Sequence, residues 1–383
     1  MADALHWVEV DHEALAHNVR VLRQALGGAQ LWAVVKAQGY GHGSVDTART
    51  ALAAGAAGLI VAVVDEAVEL RAAGLDAPIL VLTPPLPDQA PAYAAHDLIA
   101  AVADLETARL LAVAGQGRGR PIPVHIKVDT GMGRLGVRPE DAPGLVRAVH
   151  NLPGVRVAGL FTHMAAADDD DLTSARAQLA RFEAVLETLA LEGLRPDAVH
   201  AANSAAALAL PESRYSLARI GIALYGIAPS PAVARMAAAA GIRLRPALAF
   251  RARVVAARRV PPGWPISYGG TYVTPAETTI ATLPVGYSHG VSRGLSHKLH
   301  VLVHGQRRPV VGRICMNHCM VDAGDLPVRP GDVVTLLGRD GDAVITADEW
   351  AAHLGTIPYE IVCMVGSRNP RRHVPFPTGF SAP

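Results

Sequence analysis

The chain has 383 residues, half of them hydrophobic and 18% charged, and its 35 lysines and arginines almost balance 34 aspartates and glutamates. That composition excludes a disordered chain, and with no long basic run it excludes nucleic acid or an anionic membrane surface as partner. The length allows two domains.

The start, MADALHWVEVDHEA, has no basic segment leading into an apolar core, and no apolar run is long enough to span a bilayer. A cytoplasmic protein with no membrane association is therefore expected. Cys315, Cys319 and Cys363 are too few for a disulfide framework, and no Cys or His set around them has zinc-site spacing, so no metal is expected.

In chain order, Asp11 precedes a predicted helix with Leu15, Val19, Leu22 and Leu26 on one face. Leu31–Val35 is a predicted buried strand, closed by Lys36 and a turn containing Gly39, Gly41 and Gly43. A lysine kept uncharged by desolvation can form a Schiff base, whereas a lone strand-end lysine more often snorkels to solvent. Strand-like runs then recur at Gly58–Val64, Ile79–Leu82, Leu98–Val102, Val124–Val128, Val155–Phe161, Ala198–Ala202 and Ser216–Ile220. Between two of them Leu179, Phe182, Leu186 and Leu189 form a helical stripe.

Eight strands alternating with helices predict a parallel (β/α)8 TIM-like barrel, although a doubly wound sheet has the same alternation. Lys36, Asp129, His163, Asn203 and Arg219 each fall at or just past the end of an apolar run. A barrel gathers those ends on one face, where active sites lie, and an open sheet would keep the outer ones apart. The stretch Ala228–Gly241, proline-containing and alanine-rich, reads as a linker. Beyond it, runs such as Phe250–Ala256, Thr278–Leu283, Leu299–Val303, Arg308–Ile314 and Asp332–Leu337, split by Pro/Gly turns, predict a β-rich domain. The expected division is residues 1–235 for the barrel and 236–383 for the β-rich part.

Several motifs carry chemistry. VHIKVDTGMGRLGV (124–137) packs Lys127, Asp129 and Arg134 into one strand and loop, either as local salt bridges or as an arginine able to fork onto a carboxylate or phenolate. GLFTHMAAAD (159–168) delivers His163, a type of residue that is usually structural. HAANSAA (200–206) puts Ser204 where a helix would begin, and ARIGIALYG (218–226) presents Arg219 and then the Gly221 and Ile222 amides. Loops after the last two barrel strands commonly bind phosphate, so an amine and a phosphate site on one face suggest pyridoxal 5'-phosphate, PLP. ISYGGTYV (266–273) sets Tyr268 on a glycine-flanked turn, where a tyrosine serves as base only if cations lower its pKa.

Taken together, VVKAQGYGHG, KVDTGMGRLG, FTHMAAAD, HAANSA, RIGIALYG, ISYGGTY, PVGYSHGVSR, VGRICMN and TIPYE resemble the alanine racemase family, in order and over nearly the whole chain. The resemblance implies a PLP-binding barrel and a β domain assembled as a head-to-tail homodimer, each site pairing one barrel with the partner's β domain. Lys36 would hold PLP and act as base on the D-side, and Tyr268 of the partner chain would act on the L-side. His163 would bond Tyr268, and Arg219 would meet His163 and the pyridine nitrogen. Arg134 would contact the phenolic oxygen and the substrate carboxylate, while Lys127 matches a lysine carbamylated in many members. Tyr40, Ser204, Gly221, Ile222 and Tyr359 would hold the phosphate. The Met316 amide would meet the substrate carboxylate, and Tyr287 would line the entrance.

The implied activity is interconversion of L- and D-alanine, supplying D-alanine for peptidoglycan. Asn317 stands where the family usually has Asp, resembling serine-racemising relatives, so the alternative is a serine or broad-specificity racemase. Gln38 and Gly39 replace the usual Asn and Ala beside the lysine. A non-enzymatic PLP carrier on the same barrel would lack the β domain and Tyr268, and a fold-related decarboxylase would be longer.

Overall fold

A computed structural model of the chain describes residues 4–374, which fold as two units. Ala14–Gly39 and Ser44–Arg245 form one; the residues up to Glu13, Tyr40–Gly43 and those from Pro246 onward form the other.

The first unit holds eight parallel strands: Gln30–Val34, Gly58–Val61, Ile79–Val81, Ile99–Val102, Ile122–Lys127, Val155–Phe161, Ala198–His200 and Leu217–Ile220. The first seven pair in sequence order, and the eighth pairs with the first in the register Trp32↔Arg219. Between the seventh and eighth, Ser216 N donates to Val199 O and Arg219 N to Ala202 O, so the sheet comes nearly full circle. This settles the open choice in favour of the barrel, because a doubly wound sheet would leave the first and last strands unpaired.

Most of these strands are short and buried on both faces, which is why they read as unbroken apolar runs. Gly159 makes room for a large neighbour, since a Cβ there would lie 2.7 Å from the His125 ring. The helix Thr173–Leu191 buries Leu179, Phe182, Leu186 and Leu189 as its stripe requires. Within the stretch read as a linker, Pro231–Ala239 is a helix, because Ser230 Oγ accepts from Val233 N, a proline sits at the first position and alanines follow.

The second unit is a ten-stranded, largely antiparallel sheet among the described residues. Its N-terminal strand, His6–Asp11, lies between Leu248–Arg253, antiparallel, and Arg371–Val374, parallel. A short hairpin, Pro265–Ile266 with Tyr272–Val273, brackets the turn Tyr268–Gly270. Among the described residues no helix is long and apolar enough to cross a membrane.

Candidate active site

Lys36 lies two residues past the end of the first barrel strand, and the four residues after it take a left-handed turn. Ala37, Gln38, Gly39 and Tyr40 have φ of 53°, 55°, 59° and 51°. Each non-glycine residue there costs roughly 1–2 kcal/mol, so the turn needs outside restraint. Gly39 N donates to Val35 O at 2.9 Å. Glu66 splits its carboxylate, one oxygen accepting from Ala37 N at 2.6 Å and the other from Ala62 N at 2.7 Å. One side chain thus ties the loops after the first and second strands and fixes where Lys36 leaves the barrel. Strain of this kind concentrates at functional sites.

Lys127, at the end of the fifth strand, is only 5% exposed. Burial pushes its ammonium down to about 8, helped by Arg134, Arg219 and Lys36 and opposed by Asp129. The Asp129 carboxylate is engaged by amides rather than by a salt bridge. Its Oδ1 accepts from Gly131 N at 3.0 Å, Met132 N at 2.8 Å and Gly133 N at 3.1 Å. Burial disfavours its charge, yet those amides hold its pKa below the usual carboxylate value. They also curl the loop that presents Arg134.

Arg219 is the hub of the barrel mouth and is 4% exposed. One NH2 group donates to His200 Nδ1 at 2.8 Å; the other reaches His163 Nδ1 at 3.1 Å and the carbonyls of Thr162 and Ala201, both at 2.9 Å. Behind it, His200 Nε2 lies 2.9 Å from His125 Nδ1. Arginine only donates, so both Nδ1 atoms facing it must present lone pairs. His163 and His200 therefore carry their protons on Nε2, and His200 passes the same tautomer to His125. Burial, reinforced by Arg219, keeps His163 and His200 neutral well below the usual histidine range, and burial takes His125 to about 3. Burial pushes Arg219 itself down to about 9, still a cation at neutral pH. Phe161 stacks on His200 at 4.8 Å, with Arg219 5.5 Å and Lys127 5.8 Å from its ring centre. Neither His125 nor His200 stood out in the sequence, where both sit inside apolar runs.

Ser204 opens the helix Ser204–Ala209, which Asn203 caps by accepting from Ala206 N at 2.9 Å. Its hydroxyl oxygen accepts from Gly221 N at 2.9 Å and Ala223 N at 3.3 Å, which leaves its proton to donate. Ile222 is buried beside them in the turn Ile222–Tyr225.

The remaining expected residues belong to the second unit. Tyr268 is 71% exposed on a turn made rigid by Ser267, whose Oγ donates to Arg313 O at 2.6 Å. Ser267 Oγ also lies 3.5 Å from Cys315 Sγ, which joins this turn to the loop carrying Met316 and Asn317. Tyr287 N donates to Cys315 O and Ser288 N to Met316 O, so Tyr287, Met316 and Asn317 come together. Tyr40 and Tyr359 form a second group, their rings 6.2 Å apart.

On the barrel unit the charges that act on His163 are cations: Arg219, Arg134, Lys127 and Lys36. Such a basin fits a group with several negative charges, and the phosphate and phenolate of PLP with a substrate carboxylate supply them. Among the described residues no His, Cys, Asp or Glu group could hold a metal ion.

Two family models match the chain: the N-terminal domain of alanine racemase over residues 10–229 and its C-terminal domain over 247–373. An alanine racemase of Desulfovibrio desulfuricans is 44% identical over 370 residues, covering 96% of this chain and 98% of its own. Another from Symbiobacterium thermophilum is 46% identical over 366 residues, covering 95% and 96%. The crystal structure of alanine racemase from a D-cycloserine-producing Streptomyces lavendulae superposes with a TM-score of 0.90 at 38% identity, over 98% of each chain.

Proposed function

The chain belongs to the alanine racemase family, and from that premise we propose that it interconverts L- and D-alanine using PLP, with Lys36 and Tyr268 of the partner subunit as the two bases. The observation that carries the reading is the set of cations, Lys36, Lys127, Arg134 and Arg219, that act together on His163, with Lys127 and Arg219 themselves buried. When bound, PLP joins the substrate amine to a conjugated ring and so acidifies the α-proton.

The chain's own residues do the rest. Inversion requires a proton to leave one face of the α-carbon and another to arrive on the opposite face. Lys36 Nζ would move the proton on the D-side and Tyr268 Oη of the partner subunit on the L-side. Arg134 would clamp the substrate carboxylate, joined by the Met316 amide, with Tyr287 at the entrance. Arg219, a cation that gives up no proton, would face the pyridine nitrogen and leave it unprotonated, restraining electron withdrawal and side reactions. His163, with its proton on Nε2, can donate to a phenol oxygen and so favour the phenolate of Tyr268. The Ser204 hydroxyl, the Gly221 and Ile222 amides and the Tyr40 and Tyr359 phenols would hold the phosphate. Lys127, with an amine pushed down to about 8, is nucleophilic enough to add carbon dioxide. Forming that N–C bond with loss of the Nζ proton gives a carbamate whose charge would steady Arg134.

A head-to-tail homodimer is the assembly that supplies a phenol to each amine. Supporting it, Trp264, Val273 and Met316 are exposed on the same unit as Tyr268, apolar surface of the kind that interfaces cover. Residues 1–235 would supply the amine half of each site and 236–383 the phenol half. The product would serve cell-wall peptide synthesis in the cytoplasm.

A second reading, a racemase of serine or of several small amino acids, is favoured by Asn317. The Ser288 hydroxyl donates to Met316 O at 2.7 Å and so must accept from Asn317 Nδ2 at 3.0 Å. The amide is thereby oriented, with Oδ1 left as a neutral acceptor suited to a substrate hydroxyl. Racemisation rates on L-alanine and L-serine, with and without added PLP, for the native chain and Lys36→Ala, test both readings. Alanine turnover that needs PLP and Lys36 is expected; full activity in Lys36→Ala would refute the assignment, and faster serine turnover would favour the second reading.

A further inference from the structure

The geometry points to Gln178 as a positioning residue that sets His163 and the Arg134 loop relative to one another, an inference that rests on the reading of those two residues as part of the reacting site. Gln178 stands on the helix Thr173–Leu191, outside the strands, and is 2% exposed. Its Nε2 donates to His163 O at 3.0 Å and to Thr130 Oγ1 at 3.2 Å, and its Oε1 accepts from Ala165 N at 2.8 Å. Thr130 Oγ1 is in turn 2.7 Å from Thr162 Oγ1. One turn further along the helix, Arg181 donates to Thr130 O at 2.7 Å.

Reinforcing the hydroxyl contact between Thr130 and Thr162, one amide therefore bridges two neighbouring loops. One follows Ile122–Lys127 and carries Asp129 and Arg134; the other follows Val155–Phe161 and carries His163. His163 is held from both ends. Gln178 fixes its carbonyl and the amide two residues on, while Arg219 fixes its ring at Nδ1. The direction of the Nε2 proton follows from those restraints. No other side chain of this size offers two donors and an acceptor in one plane without charge. Glutamate would set oxygens against His163 O and Thr130 Oγ1, and a hydrocarbon would leave a buried carbonyl and amide unpaired.

Two variants separate positioning from packing. Gln178→Met keeps the length and loses all three bonds; Gln178→Glu keeps the bond from Ala165 N and loses the donors. In the PLP-loaded enzyme kcat should fall by about tenfold to a hundredfold in Gln178→Met. The α-deuterium isotope effect should rise more for L-alanine than for D-alanine, because the step that relies on His163 becomes the slower one. In cofactor-free enzyme with 15N-labelled histidine, the His163 Nε2 resonance should move while those of His125 and His200 stay. Gln178→Glu, nearly the same size as the native side chain, should show the same asymmetry because it too loses the donors. An unshifted His163 resonance, or an isotope effect that changes equally for both enantiomers alongside a lowered melting temperature, would reduce Gln178 to packing and overturn the inference. The resonance decides the matter even if the native chain turns over neither amino acid, a result that would sink the functional reading instead.

Discussion

His125 and His200 are buried, His163 is half-buried, and all three are neutral with Arg219 among them, which has a consequence for stability. Each has a pKa depressed by burial below the unfolded value of 6.5. Unfolding in acid therefore takes up protons that the native state refuses. Their contribution to stability is present above about pH 6.5 and is lost as pH falls toward the folded value, about 3 for His125. Each histidine adds up to about 1.4 kcal/mol per pH unit in that window. His200→Gln keeps an acceptor for Arg219 but does not titrate. The pH slope of its urea-unfolding free energy should be shallower by about one proton; an unchanged slope would show that His200 is charged or exposed. The polar residues Lys36, Asp129, His163, Asn203 and Arg219 were legible in the sequence because a polar side chain closing an apolar run is conspicuous. His125, His200 and Gln178 were not. Their neighbours are apolar, and their value lies in partners 13 to 75 residues away.

The left-handed turn after Lys36 exists because neighbouring elements impose it, and Gly41 shows how tightly. Its φ is 86°, and a Cβ there would collide with Val362 O, in the helix Pro358–Gly366 that bears Tyr359. Arg371 Nε holds the Gly41 carbonyl at 2.8 Å. Gly41→Ala should therefore cost about 1–3 kcal/mol of stability and part Tyr40 from Tyr359. If those phenols hold the phosphate, PLP titration of the variant should show weaker binding at unchanged Lys36 chemistry; undiminished affinity would remove the pair from the phosphate site. The glycines of this segment were visible in the sequence, but its handedness was not, since Ala37 and Gln38 ordinarily avoid positive φ. The helix Pro231–Ala239 was hidden in a similar way, its alanines reading as low complexity until the Ser230 cap and the proline are taken together.

The two units contribute unequally to what the sequence reveals. Barrel strands pair with sequence neighbours, so their alternation discloses the fold. The strand His6–Asp11 pairs Val10 with Leu248, and no local pattern announces so distant a partner. The motifs nevertheless ran through both units, which is why the family was legible before any geometry. Lys36 belongs to one unit and Tyr268, exposed on its rigid turn, to the other. In a symmetric dimer with shared sites, Lys36→Ala and Tyr268→Phe would each disable both sites. A mixed dimer would gather both defects in one site and leave the other intact. Half the dimers in an equal, fully exchanged mixture are mixed, so activity should return to about a quarter of the native level. Subunit exchange is verified by mass tags on the two variants, and the recovered rate is read as racemisation of L-alanine. Exchange without recovery would place amine and phenol within one chain and end the shared-site proposal.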